Sequence, residues 1–299
     1  MSKQNKISPT AWVVAMMRAE YTKIPYTAEI QKVISENRTP FLATFLYGLL
    51  KFFMQRRPHK MLAMTTLEGR YHSIESILPK NKEFVLLELG TGLSPRGLNH
   101  AEANRLVIES DMPEIIEFKE KIIDKVYQEK GKSGKKPDNH MFLSINVLSR
   151  EDLLVAGEIY KKQGKNKPLY IVNEGLSMYF TKEENDIFRE NLAWFFQKFA
   201  PGRGVWVSTD LTPIPSENTQ KGPMGFMRKL LKRFTGRTFE VFETHEETCD
   251  FLAKSNFKGT PATNSDILKE LNCLNKMGLT IEDVKHFSEQ YIAYRVELA

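Results

Sequence analysis

Cysteine is scarce in this 299-residue chain: Cys249 and Cys273 are the only two, and neither belongs to a C-x-x-C pair. They cannot form a disulfide framework, and a reducing compartment is the simplest setting. Metal motifs are missing too. There is no H-E-x-x-H, no calcium loop and no paired cysteine, so no metal is expected. No G-x-S-x-G elbow supports hydrolase chemistry. The G-K-S at 131–133 has Val126 where a phosphate-binding loop needs glycine. The opening MSKQNKISPTAW lacks an apolar signal core, which points to the cytoplasm. The most apolar stretch, 41–54, contains Lys51 and is too short for a bilayer; it reads as a buried helix.

What is present suits an enzyme-sized globular chain. The composition is 41% hydrophobic and 27% charged, which excludes a mainly disordered chain. The 43 basic and 37 acidic side chains leave a net charge of +6. Most of that excess lies in 221–237, where Lys221, Arg228, Lys229, Lys232, Arg233 and Arg237 interleave with Met224, Phe226, Met227, Leu230, Leu231 and Phe234. Three readings stay open for this segment: a lid over an anionic substrate, weak contact with an anionic surface, or a solvated helix face. No RNA-binding motif accompanies it, and no nucleic acid partner is expected.

Along the chain, 10–78 reads as helical. Thr10 can cap a first helix, and a third helix over about 65–78 places Leu67, Tyr71, Ile74 and Leu78 on one face. Short apolar runs then alternate with helical patterns. Strands are expected at 84–89, 106–109, 141–145, 169–173 and 205–209, with a closing strand at 291–298. Helices are expected from Ser94-Pro95, with Ser94 as cap, and through 115–126, 153–160, 188–199 and 246–255. This alternation implies a parallel sheet covered on both faces, with ligands beyond the strands' carboxyl ends.

Those ends carry polar groups. Gly90 and Gly92 follow the first strand and allow a tight turn with close approach of a ligand. Asp111 lies twenty-one positions beyond Gly90, near the spacing at which a carboxylate reaches ribose hydroxyls. Asn146 and Glu174 follow the third and fourth strands. The two glycines also suit an ordinary strand-to-helix turn, and Asp111, Asn146 and Glu174 each suit a simpler role as a helix cap.

The motif order resembles the leucine carboxyl methyltransferase family, in particular its bacterial branch related to polyketide O-methyltransferases such as the tetracenomycin enzyme. The carrying residues are Arg70 with Ile74-Glu75, the run Glu88-Leu89-Gly90-Thr91-Gly92-Leu93-Ser94-Pro95-Arg96-Gly97, Glu109-Ser110-Asp111-Met112-Pro113, Asn146-Val147, and Glu174-Gly175-Leu176-Ser177-Met178-Tyr179-Phe180. The last block is the most specific. The sequence departs from the family pattern at Ser94 and Glu75, where Asp is usual, and at Asn146-Val147, where Asp-Leu is usual.

The resemblance implies an α/β protein of the class I methyltransferase, Rossmann-like fold. Its sheet would be seven-stranded and mostly parallel, with an N-terminal helical lid and an insertion after the fifth strand. Residues 1–80 would be the lid, within one domain with 81–299, and the insertion would cover the substrate at about 211–245. The implied cofactor is S-adenosyl-L-methionine. Glu88, Gly90, Thr91 and Gly92 would approach its methionine end, Asp111 its ribose, Asn146 and Val147 its adenine, and Glu174 its amino group. Arg70 would hold a carboxylate of cofactor or substrate. Tyr179, read from its own chemistry, suits either service to a hydroxyl substrate or simple packing.

The expected activity is O-methylation of a carboxylate on a small molecule or peptide terminus. Methylation of a phenolic or polyketide hydroxyl, or nucleoside binding without turnover, are the alternatives. A carboxylate acceptor is ionised at neutral pH and needs no general base, and no histidine falls in the motif blocks.

Overall fold

A computed structural model describes residues 9–36, 40–129, 136–164, 166–214, 242–262, 266–285 and 292–299. Most of the expected insertion, with the basic segment 221–237, lies outside the described residues, as does 130–135.

Five strands run parallel. They are β1 (Val85–Leu89), β2 (Leu106–Asp111), β3 (His140–Ser144), β4 (Leu169–Asn173) and β5 (Gly204–Ser208). β6 (Phe257–Pro261) and β7 (Tyr294–Leu298) complete a seven-stranded sheet in the order β3-β2-β1-β4-β5-β7-β6, and β7 is antiparallel to both its neighbours. Every residue of β1 and β4 is buried, because parallel strands are covered on both faces.

Helices α1 (Pro9–Tyr21), α2 (Thr27–Glu36), α3 (Phe41–Arg56) and α4 (Thr66–Ile77) precede the sheet. Helices α5 (Arg96–Glu102), α6 (Pro113–Glu129), α7 (Arg150–Gln163) and α8 (Lys182–Phe199) connect its strands, and α9 (His245–Ala253) precedes β6. Three short helices, α10 (Ile267–Glu270), α11 (Cys273–Met277) and α12 (Ile281–Val284), lie before β7. One apolar core joins α1–α3 with α6 and α10–α12 through Trp12, Val33, Met54, Ile123 and Val284. Another packs α7 and α8 on the opposite face of the sheet through Ala156, Phe188, Phe196 and Trp206. No helix among the described residues is long and apolar enough to cross a membrane.

Local chemistry sets the helix ends. Thr181 and Glu184 form a reciprocal capping box at the start of α8, and Ser149 accepts the Asp152 amide at the start of α7. Two expected caps are corrected. α1 already includes Pro9 and Thr10, so Thr10 lies inside it. At α5 the Ser94 amide donates to the Thr91 carbonyl at 3.0 Å, and this turn postpones the helix to Arg96. Pro95 takes the capping position, while Ser94 Oγ accepts the Arg96 amide at 3.3 Å.

β6 is absent from the expected strands because Gly259 and Pro261 weaken its pattern, which an edge position tolerates. The expectation of a buried 41–54 helix holds for one face of α3. Ala43, Leu46, Leu50 and Met54 are buried, but Phe41, Phe45, Phe52 and Phe53 are exposed.

Candidate functional site

The chain turns sharply where β1 ends. Gly90 (φ 64°) and Gly92 (φ 50°) occupy the left-handed region that glycine enters freely. A methyl group on Gly90 would lie 2.8 Å from Leu176 Cδ1, whereas one on Gly92 would meet nothing within 4 Å. The close neighbour of the first glycine is therefore the chain's own loop after β4, and the second faces open space.

Asp111, the last residue of β2, binds this turn. Its Oδ2 accepts the Gly92 amide at 2.8 Å and its Oδ1 the Met112 amide at 2.7 Å. Burial raises its pKa, with both amides working in the opposite direction. Each carboxylate oxygen keeps further acceptor capacity.

Glu88 on β1 and Glu174 just beyond β4 are bridged by Arg96, a fully buried residue of α5. Nη1 of Arg96 donates to Glu88 Oε1 at 2.7 Å, Nη2 to Glu174 Oε2 at 3.1 Å, and Nε to Glu75 Oε1 on α4 at 2.9 Å. The guanidinium also lies 4.7 Å from the Tyr71 ring centroid. Arg18 arrives from α1, donating to Glu174 Oε1 and to the Leu67 carbonyl.

Arg70 is a third cation near Glu174, yet its Nε is buried without a hydrogen-bond partner. Burial opposes ionisation of Glu174. The charges of Arg18, Arg96 and Arg70 outweigh it and hold the pKa below the ordinary carboxylate value. Glu75 is likewise lowered against its burial, by His100 and Arg96, and His100 Nε2 lies 3.1 Å from its Oε2.

The loop following β4 owes its shape to a residue that the sequence pattern did not single out. Asp210, buried beyond the end of β5, accepts the Gly175 amide on Oδ1 at 2.7 Å. Its Oδ2 accepts the amides of Leu176 at 2.8 Å and Ser177 at 2.9 Å, and the Asn173 side-chain amide at 2.8 Å. Gly175 adopts φ 71°, and Tyr179 ends a 3-10 turn, Ser177–Tyr179, half-buried. The E-G-x-x-M-Y motif is thus a turn wound around Asp210.

Asn146 and Val147 lie just past β3 on the same rim of the sheet. Asn146 is exposed and its Oδ1 accepts the Leu148 amide at 3.1 Å, so it shapes a turn, and the capping of α7 falls to Ser149 instead. Val147 is buried, and its carbonyl accepts from Asn191 Nδ2 at 3.1 Å.

A second polar cluster lies beside the first. Glu109 is the registered partner of Glu88 and is fully buried. Lys119, Thr91 and His140 all hydrogen-bond to it, His140 Nε2 at 2.6 Å, and Thr91 Oγ1 also reaches Glu88 Oε2 at 3.1 Å. The charge of Lys119 and its hydrogen-bond partners overcome desolvation and keep the Glu109 pKa low. Gly97 leaves the space it needs, since a Cβ there would lie 2.2 Å from Glu109 Cδ. A cavity of about 550 Å³ beside His140 and Phe142 opens where β3 begins, at the rim opposite these strand ends.

The structure thus gathers Arg70, Glu88, Gly90, Thr91, Gly92, Asp111 and Glu174 around the ends of β1, β2 and β4. It adds Arg18, Arg96 and Asp210. Arg96 stands within a quoted motif, but its link to three glutamates from three elements is visible only in the fold. Arg18 carried no local signal.

No family model and no curated protein matches the chain by sequence. Solved structures do resemble it. A candidate methyltransferase of Thermobifida fusca superposes with a TM-score of 0.53 at 14% identity, over 91% of this chain and 94% of that one. A DUF574 family protein of Streptomyces avermitilis gives 0.55 at 11% identity, over 94% and 98%. At such identities the likeness is one of fold. Together with the strand order and its antiparallel β7, it establishes the class I, Rossmann-like methyltransferase fold.

Proposed function

We propose that the chain is an S-adenosylmethionine-dependent O-methyltransferase that esterifies a carboxylate on a small molecule or peptide terminus. One observation carries this reading. Arg70 Nε is buried without an acceptor, beside a Glu174 already engaged by Arg18 and Arg96. A buried donor of this kind calls for an anionic acceptor, and a carboxylate matches the guanidinium's planar fork.

The surrounding groups suit the methyl donor. Asp111 is fixed by two amides and has lone pairs for a vicinal diol, and Gly92 beside it faces open space. Glu88 and Glu174 supply negative charge for an ammonium group, while Gly90 and Thr91 supply main chain at the same turn. Asn146 and Val147 stand on the rim where the nucleobase edge would lie. When bound, S-adenosylmethionine supplies a methyl group already activated by the adjoining sulfonium charge. The protein's task is alignment, which is worth roughly 7–11 kcal/mol in well-oriented systems. Arg70 orients the carboxylate and the N-terminal helices, within residues 1–80, act as a lid that excludes water.

An acceptor carboxylate is already ionised at neutral pH. The buried histidines near the site are engaged with glutamates, His100 with Glu75 and His140 with Glu109, and no base is required of them. Tyr179 lines the acceptor side in this reading. Incubation with a labelled methyl donor and cell extract, followed by mild alkali, tests the proposal. Alkali-labile label supports carboxyl esters and stable label supports the hydroxyl alternative. Binding of donor and demethylated product without any transfer would leave a nucleoside-binding protein.

A further inference from the structure

The outward half of α3 has no covering element among the described residues. At about 3.6 residues per turn, Phe41, Phe45, Gly48 and Phe52 fall on one stripe, directly opposite the buried Ala43, Leu46, Leu50 and Met54. Phe41 is 85% exposed, Phe45 55%, Phe52 46% and Phe53 39%. A helix that is apolar on both sides ordinarily lies within a core. This one buries a single side and presents four aromatic rings outward, with Phe41 stacked near Phe45 and Phe52 edge-on to Phe53.

Within this segment of the chain every fully charged side chain is basic. No acidic residue occurs between Glu36 and Glu68, whereas Arg38, Lys51, Arg56, Arg57 and Lys60 fall in that interval. Lys51 is paired with Glu20, but Arg56 and Arg57 are exposed and have no acidic partner among the described residues. The Arg56 guanidinium lies 4.4 Å from the Phe52 ring centroid, so cation and aromatic form one surface.

We propose that α3 docks this protein on an anionic lipid bilayer, lying in the plane of the interface with its phenylalanines among the acyl chains and Arg56 and Arg57 at the headgroup phosphates. Sixteen residues span about 24 Å as a helix, less than the roughly 30 Å hydrocarbon core, which favours lying flat over crossing. Exposed aromatics bordered by unpaired cations are what interfacial helices present to anionic lipid. A second copy of the chain would instead bring together two faces that each carry the unpaired Arg56 and Arg57. The proposal stands apart from the methyl-transfer reading.

Co-sedimentation of the full chain with vesicles tests it. Binding is expected to phosphatidylglycerol–phosphatidylcholine vesicles, to weaken with added salt, and to be largely absent with phosphatidylcholine alone. Phe45→Glu with Phe52→Glu should remove binding, and Arg56→Gln with Arg57→Gln should weaken it about tenfold to thirtyfold. The substituted side chains are exposed, so unfolding should stay cooperative. Should the charged pair fail to fold, Phe41→Ser with Phe45→Ser provides the milder comparison. The proposal is overturned if anionic vesicles are not bound, or if the α3 variants bind as the wild type does. A lipid-free, concentration-dependent dimer that Phe45→Glu dissolves would also overturn it and name a second copy as the occupant.

Discussion

Arg18 and Glu174 are 156 positions apart in sequence and hydrogen-bonded in space. The contact joins the first helix to the tip of β4, so the N-terminal segment packs against the candidate site. Arg18→Ala leaves Glu174 with Arg96, and the expected loss of stability is about 1–3 kcal/mol, that of a hydrogen bond to a charged group. Chemical denaturation measures it. A midpoint equal to wild type would show that the contact contributes nothing.

Arg70→Ala should behave differently. Its Nε has no acceptor to lose and its charge contributes less to Glu174 than those of Arg18 and Arg96, so the unfolding midpoint should fall less than for Arg18→Ala. Turnover, assayed with the identified acceptor, should fall by at least about tenfold, the equivalent of roughly 1.4 kcal/mol of lost transition-state stabilisation. Full activity would remove Arg70 from the site.

Asp111→Ala should weaken binding of S-adenosylhomocysteine by about 1–3 kcal/mol in isothermal titration. Wild-type Asp111 should also confer pH dependence. Burial raises its pKa, so the carboxylate becomes protonated at a higher pH than an ordinary Asp, and affinity should decline from that higher pH downward. Affinity independent of both the substitution and mild acid would refute the diol contact.

Glu109→Gln leaves Lys119 buried against a neutral amide. Breaking such a pair destabilises by about 3–5 kcal/mol. The double variant Glu109→Gln, Lys119→Met should regain much of this loss, because no unpaired charge then remains inside. Equal instability of single and double variants would count against the ion pair as the cause.

Acid should loosen the whole constellation. Glu75 and Glu174 have folded pKa values below the reference 4.5, so the unfolded chain binds more protons as the pH falls. Their stabilisation is complete above that reference and is lost as the pH drops through the folded values. Unfolding free energies measured between about pH 5 and 3 should therefore decline, and Glu75→Gln should flatten the curve.

The alternation of buried runs and amphipathic helices made β1–β5 and their order of appearance legible, since hydrophobic period reports burial directly. β6 stayed hidden because Phe257-Lys-Gly-Thr-Pro261 has the composition of a turn and becomes a strand only by pairing with β7. In the site, Gly90, Gly92, Asp111 and Glu174 stood out because they follow apolar runs. Arg18 could not, as its position on α1 has no local pattern and acquires meaning through Glu174. Asp210 did end a recognisable strand, but only the fold shows it receiving three consecutive loop amides. For α3 the apolar pattern identified a helix and overstated its enclosure, because hydrophobicity cannot distinguish an inward phenylalanine from an outward one.

The missing side chain at Gly97 also limits what can replace it. A Cβ there would collide with the Glu109 carboxyl group, so a change at either position bears on the other. Alanine at 97 would require residue 109 to be shortened or its carboxyl group displaced, either of which takes the acceptor away from Lys119 and His140. While the Glu109 carboxyl group keeps its present place, position 97 has room only for glycine.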